Sequence, residues 1–202
     1  MLSLFIRFWK AEDSLHSIKS EDIELIVPIC YGTKPDELIC ATRVNLEKAI
    51  KLQGIFPKAL IALSSCSYLF KGSELIEEKF KRNILREAQA RFIFAEPLIN
   101  SMDEAEMVQA VLQRSGICPQ GIIIVTGELH SRSARLIYKR VFKGSEIFIT
   151  CNSYKLEIQE DHLVKSQRAM WRWVISNILR ELALRLLPWE VIRKMKHKTV
   201  NH

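Results

Sequence analysis

Glu128, His130 and Arg132 fall within one short polar stretch, directly after the apolar run Ile122, Ile123, Ile124, Val125 and the pair Thr126-Gly127. An imidazole titrates near neutral pH, a carboxylate can share its proton, and a guanidinium can hold a carboxylate or phosphate. These residue types in this spacing suit acid–base work or anion binding. Beyond them Ala134, Ile137 and Val141 recur at three- and four-residue steps. The stretch therefore predicts a fully buried strand, a polar turn and an amphipathic helix. In an open α/β sheet, the turn that leaves a parallel strand lies on the ligand-binding edge. Ser131 and Ser133 are candidate caps for the helix, and its N-terminus with Arg132 or Arg135 offers a place for an anion. The competing reading of His130 is a structural loop histidine.

Three more polar loops are expected on the same edge: Tyr31–Lys34, Ser64–Ser67 and Glu96–Glu104. Glu96 and His130 are the candidates there for acid–base work, although no reaction follows from them. Asn100 or Ser101 can cap the next helix, with Asp103 and Glu104 on its first turn. Capping accounts for those residues as well as ligand binding does. Neither G-x-G-x-x-G nor G-x-x-x-x-G-K-[ST] occurs, so dinucleotide and P-loop readings lose their support. The Ser64-Ser65-Cys66-Ser67 loop lacks the G-x-S-x-G elbow of a hydrolase. Aromatics do not interleave with basic residues, so a nucleic-acid partner is not expected.

The elements that must position these loops follow from periodicity. Ile23–Cys30 reads as the first strand, with Pro28 marking a bend or a sheet edge. A helix over Leu38–Leu52 turns Val44, Ala49 and Ile50 inward, and a strand covers Ala59–Leu63. A helix from Ser73 to Ala90 repeats Ile76, Phe80, Ile84 and Ala88, with Glu77–Lys81 and Glu78–Arg82 as favourable i,i+4 pairs. A strand over Arg91–Ala95 precedes a helix over Asp103–Arg114 that buries Ala105, Val108, Val111 and Leu112. Glu146–Thr150 is the last strand. Strand alternating with helix predicts an α/β fold, its mainly parallel sheet covered on both faces. A final helix, Lys165–Leu187, carries Trp171, Val174, Ile175, Ile178, Leu179, Leu182 and Leu186 on one stripe. That stripe is expected to pack in the core, with a partner or membrane surface as the second reading. Pro188 ends it.

At 202 residues the chain suits a single domain, its core about 23–187 and its basic tail 188–202 peripheral. Net charge is +7, concentrated in that C-terminal region through Arg193, Lys194, Lys196 and Lys198 among others. Such a tail meets acidic lipid, nucleic acid or an anionic ligand, or is a solvated face. The five cysteines form no C-x-x-C pair and no zinc-ligand spacing, so no metal is expected. Cys30, Cys66 and Cys151 each fall where a strand ends. Free thiols suit a reducing compartment, and a cytoplasmic location is the expectation. The apolar start, MLSLFIRFWK, is too short to span a bilayer and is broken by Arg7.

Taken in order, several pieces resemble the domain-of-unknown-function family that includes the YdcF, SanA and ElyC proteins. They are Arg43 in TRVNLEKA, Ser64-Ser65 with Glu74, and Glu96 followed by Asn100-Ser101-Met102-Asp103-Glu104-Ala105. Val125-Thr126-Gly127 with His130-Ser131-Arg132-Ser133-Ala134 is the clearest match. The family's glycine-rich turn is reduced to Cys30-Tyr31-Gly32-Thr33, and its S-G-G loop has lost its glycines. The resemblance implies a Rossmann-like three-layer α/β/α fold with an added C-terminal helix. It also implies a small-molecule pocket for an anionic or nucleoside-like ligand, S-adenosylmethionine among them. Ser64, Ser65, Glu74, Asn100, Ser101, Asp103, Glu104, His130 and Arg132 would line that pocket. The family's link to the bacterial cell envelope suggests an alternative, a non-catalytic interaction module whose basic tail makes peripheral membrane contact.

Overall fold

A computed structural model describes residues 6, 8–11, 15, 18, 22–34, 37–64, 73–95, 101–158 and 165–199, without the side chains of 73–75 and 195–199. The chain divides into two compact units, Met1–Glu157 and Ile158–His202. In the first, β1 (Leu25–Pro28), β2 (Leu60–Leu63), β3 (Phe92–Phe94), β4 (Gly121–Gly127) and β5 (Glu146–Asn152) form one all-parallel sheet. Its order is β3-β2-β1-β4-β5. Helices α1 (Cys40–Ile55), α2 (Ser73–Glu87), α3 (Ser101–Arg114) and α4 (Ser131–Val141) connect the strands. The fold is a Rossmann-like α/β/α sandwich. Its topological switch point lies between β1 and β4, where such sheets open a crevice at their carboxyl edge.

Each layer follows from where apolar side chains recur. Ile26, Ile61, Leu63, Ile123 and Val125 join Leu46, Ala49 and Leu52 of α1 and Leu85 of α2 in one buried cluster. Side chains alternate along a strand. Val27, Ile122 and Ile124 therefore meet the other layer, where α3 packs on α4 through buried residues such as Ala105, Val108, Ala134 and Ile137. All seven residues of β4 are buried, which explains its uninterrupted apolar run.

Three local expectations are corrected. Pro28 does not mark an edge, because β1 lies between β2 and β4. The β4 pairing runs through Pro28, while the β2 pairing stops at Ile26. Ile29 N–H donates to Val125 O, so Pro28 faces β2, the side on which it has no N–H to give. On α1, Val44 and Ile50 are only half-buried, and Thr42, Asn45 and Gln53 share the inner face. Their polar groups are satisfied there, Asn45 Nδ2 donating to Ile29 O at 2.8 Å and Gln53 Nε2 to Ala59 O at 2.8 Å.

The third correction bears on the site. On α2, Ile76 is exposed and Phe80 and Ile84 are half-buried, while Glu77, Lys81 and Leu85 are buried. The helix is turned about one position from the orientation its apolar residues predict. The reason is at the end of β2, where Lys81 Nζ donates to the Ser64 carbonyl at 2.5 Å and pairs with Glu77.

The second unit contains α5 (Met170–Leu186) and α6 (Trp189–Thr199), which pack together. Pro188 separates them, its carbonyl accepting the Val191 and Ile192 N–H groups in the first turn of α6. Of the stripe expected to be core, Val174 and Ile178 are half-buried, while Trp171, Ile175, Leu179, Leu182 and Leu186 are exposed. The buried residues of α5 are Trp173, Asn177, Glu181 and Leu184. In the tail, α6 buries Ile192.

Candidate functional site

Because every strand is parallel, Ser64 at the end of β2 and the β4–α4 loop share the carboxyl edge. That edge has two parts of different character. At β4 and β5 it is closed by protein. Tyr31 Oη donates to Glu157 Oε1 at 3.0 Å, Leu129 N–H donates to Glu157 Oε2 at 3.0 Å, and Gly127 N–H donates to Tyr31 Oη at 3.2 Å. Glu157 is buried on the short helical turn that follows β5. Desolvation, then the Glu157 charge, holds the Tyr31 phenol well above its ordinary pKa. The β1 turn is shaped by Thr42, whose Oγ1 accepts Tyr31 N–H and donates to Gly32 O. Gly32 sits there at φ 104°, a left-handed conformation that favours glycine.

The N-terminal segment covers the β4–α4 loop. Ala11 N–H donates to Ser131 Oγ at 2.9 Å, Trp9 Nε1 donates to Leu129 O at 3.4 Å, and Lys10 pairs with Glu128 at 3.4 Å. Ser131 Oγ donates in turn to Glu128 O, and the N-cap residue of α4, His130, makes no side-chain cap hydrogen bond. Ser131 is thus used to hold the covering segment and not as the expected cap. His130 is 2% exposed, its ring edge-on to Tyr31 at 6.4 Å. The Arg132 guanidinium lies over the Trp9 ring at 4.7 Å.

The other part, beside β1 and β2, gathers polar and ionisable groups from five elements. Ser64 Oγ donates to Glu104 Oε1 at 2.8 Å, joining the end of β2 to the first turn of α3. The Lys81–Glu77 pair arrives from α2, Tyr138 from α4, and Cys30 from the end of β1. Ser64, Glu77, Lys81, Glu104 and Tyr138 are all buried. Burial pushes the Glu104 carboxyl up to about 7, partly opposed by the Ser64 hydrogen bond and the Lys81 charge. Desolvation likewise raises the Cys30 thiol to about 12, so it stays protonated at neutral pH and is no activated nucleophile. The Tyr138 phenol is raised by desolvation first, then by Glu104 and Cys30. Its hydroxyl has no hydrogen-bond partner among the described residues. Chemically, Glu104 can exchange a proton near neutral pH, and Tyr138 has a donor to offer.

Of the residues read from sequence, Ser64 and Glu104 are brought together. Ser101 and Asp103 are half-buried on the same first turn of α3 as Glu104. His130 and Arg132 stand under the N-terminal segment. Ser65, Cys66, Glu96, Asn100 and the Glu74 side chain lie outside the described residues. Arg43 is exposed and pairs with Glu37 at 3.6 Å. Lys81, Glu77 and Tyr138 were not singled out as site residues. Tyr138 had a legible signal, standing four residues after Ala134 on the buried stripe of α4.

Glu104 carries a pH-dependent prediction. Below about pH 4.5 the carboxyl is protonated whether the chain is folded or not. Between there and about 7 the unfolded chain ionises it while the folded protein retains the proton, so folding stability falls as pH rises. Above that the penalty is constant, about 3 kcal/mol for a pKa raised from 4.5 to about 7. Glu104→Gln keeps the Oε1 acceptor and removes the titration. Urea unfolding should show the variant matching wild type near pH 4.5 and exceeding it by about 2–3 kcal/mol at pH 8. A stability difference that does not change with pH would refute the assignment.

A depression of 260 Å³ lies at the opposite, amino edge, lined by residues including Gln109, Cys118, Phe142 and Ser145, away from the buried ionisable groups. Among the described residues no helix is long and apolar enough to cross a membrane. Compared with protein-family models, curated proteins and solved structures, the chain matches none.

Proposed function

We propose that the carboxyl edge beside β1 and β2 binds a small nucleoside-like ligand through Ser64, Glu104, Tyr138 and Cys30. The observation that carries this reading is the buried Glu104 carboxyl near a Tyr138 hydroxyl that has no hydrogen-bond partner among the described residues. Buried polar groups are ordinarily satisfied, and a ligand with hydroxyl, amine or ring-nitrogen groups would satisfy the Tyr138 hydroxyl and add a partner to the Glu104 carboxyl.

Charge selects the ligand class. Among the described residues the Lys81 ammonium is matched by Glu77, so Glu104 leaves the cluster neutral or negative. A phosphate or carboxylate would meet repulsion there, whereas ribose hydroxyls or a cationic centre would be favoured. S-adenosylmethionine, suggested by the YdcF-like resemblance, offers ribose hydroxyls and a positive sulfonium to this cluster, with its own carboxylate directed away from Glu104. The reading is one of binding. Glu104 adds the capacity to move a proton.

The test is a thermal-shift comparison of adenosine, S-adenosylmethionine and inorganic phosphate, followed by titration of Glu104→Gln and Tyr138→Phe. One nucleoside should raise the melting temperature and phosphate should not. Tyr138→Phe should stabilise the unliganded protein by about 1 kcal/mol, since it removes an unsatisfied buried hydroxyl. It should also weaken the nucleoside roughly tenfold. Absence of any nucleoside shift, or unchanged affinity in both variants, would overturn the proposal.

A further inference from the structure

We propose that the outward face of α5 seats on an anionic lipid surface, a role independent of the carboxyl-edge site. The helix has two opposed faces. Trp173, Asn177, Glu181 and Leu184 form the buried one. Trp171, Ile175, Leu179, Leu182 and Leu186 recur at four- and three-residue steps and are 47–75% exposed. With 3.6 residues per turn, these five lie within an arc about 80° wide, opposite the buried face. The usual sorting of a surface helix is not kept, because Asn177 and Glu181 are turned in beside Trp173 and Leu184 while Trp171, Ile175, Leu179, Leu182 and Leu186 are out. A continuous exposed apolar stripe of this kind marks an interaction surface.

Charge determines what covers it. Between residues 165 and 202 the sequence has nine lysines and arginines against two glutamates. Lys165, Arg168 and Arg172 are exposed beside the N-terminal end of the stripe, and Arg193 and Lys194 are exposed on α6. A second copy of the chain would set this positive charge against itself. Anionic headgroups instead supply the counter-charge, while the boundary of the acyl region accepts tryptophan and leucine. The Arg172 guanidinium stands 5.2 Å over the Trp171 ring. Such a pair places charge at headgroup depth with its apolar stem alongside the stripe. Since α5 cannot span a bilayer, it would lie in the plane of the surface.

The experiment is co-sedimentation of the full chain with phosphatidylcholine vesicles, with and without phosphatidylserine. Wild type should bind the phosphatidylserine vesicles, and Leu179→Glu/Leu182→Glu should bind them roughly tenfold less or weaker still. Both leucines are exposed, so circular dichroism and melting should be unchanged; Leu186→Glu, at the most exposed position, serves as a second variant. Failure of wild type to bind would overturn the proposal. So would undiminished binding by both variants, which would mean adhesion through the basic residues alone. A dimer without vesicles that the same variants abolish would overturn it in favour of self-association.

Discussion

Lys81→Met should lower folding stability by about 3–5 kcal/mol, because it leaves the Glu77 carboxylate buried without its cation. Lys81 is fully buried, and its ammonium also accounts for the Ser64 carbonyl, which lies just past the last residue of β2. Methionine keeps the length of the aliphatic stem, so packing is largely conserved and the loss reports on charge and hydrogen bonding. Removing both charges tests this directly. Replacing a buried ion pair outright costs much less than breaking it, so Lys81→Met/Glu77→Gln should regain more than half of the stability lost. Urea unfolding of wild type, both single variants and the double variant gives the coupling. Additive costs would show that the two side chains do not act as a pair. The variant also bears on the ligand site, since Glu104 beside Glu77 without Lys81 would be still harder to ionise.

Gly127→Ala is expected to cost about 4 kcal/mol, although alanine favours the strand at least as well as glycine does. The reason is space. A Cβ built on Gly127 would overlap the Cγ and Cδ carbons of Glu157. Glu157 has little room to yield, being buried and accepting hydrogen bonds from Tyr31 Oη and Leu129 N–H. Overpacking alone costs about 1–3 kcal/mol, and displacing a hydrogen-bonded buried carboxylate adds about 1.5–3 kcal/mol. Glu157→Ala opens the space, so in that background the added cost of Gly127→Ala should fall below about 1 kcal/mol. Equal costs in the two backgrounds would place the strain elsewhere.

Sequence patterns disclosed the layers of this protein but not the contents of its edge. The Ile122–Val125 run could only be a strand buried on both faces, and its succession to a polar turn and an amphipathic helix placed Ser64, Glu104 and His130 at one end of a parallel sheet. The Glu77–Lys81 spacing is the same whether the pair faces water or a strand's terminal carbonyl, so it reads only as a favourable i,i+4 pair. Nothing local to Glu157 tells that it will close the space over Gly127, or to Trp9 and Lys10 that they will cover the β4–α4 loop. Those contacts join residues more than a hundred positions apart, or depend on a glycine in another element.

The alternation of strand and helix, the parallel sheet and the gathering of loops on its carboxyl edge were determined by the sequence itself, because hydrophobic period and run length are local properties of a chain. Tertiary structure alone decided which of those loop residues meet. It turned α2 by one position to bury an ion pair, enclosed His130, and left the leucine face of α5 outward. Burial and charge balance are properties of a neighbourhood. A neighbourhood exists only once the distant segments have packed together.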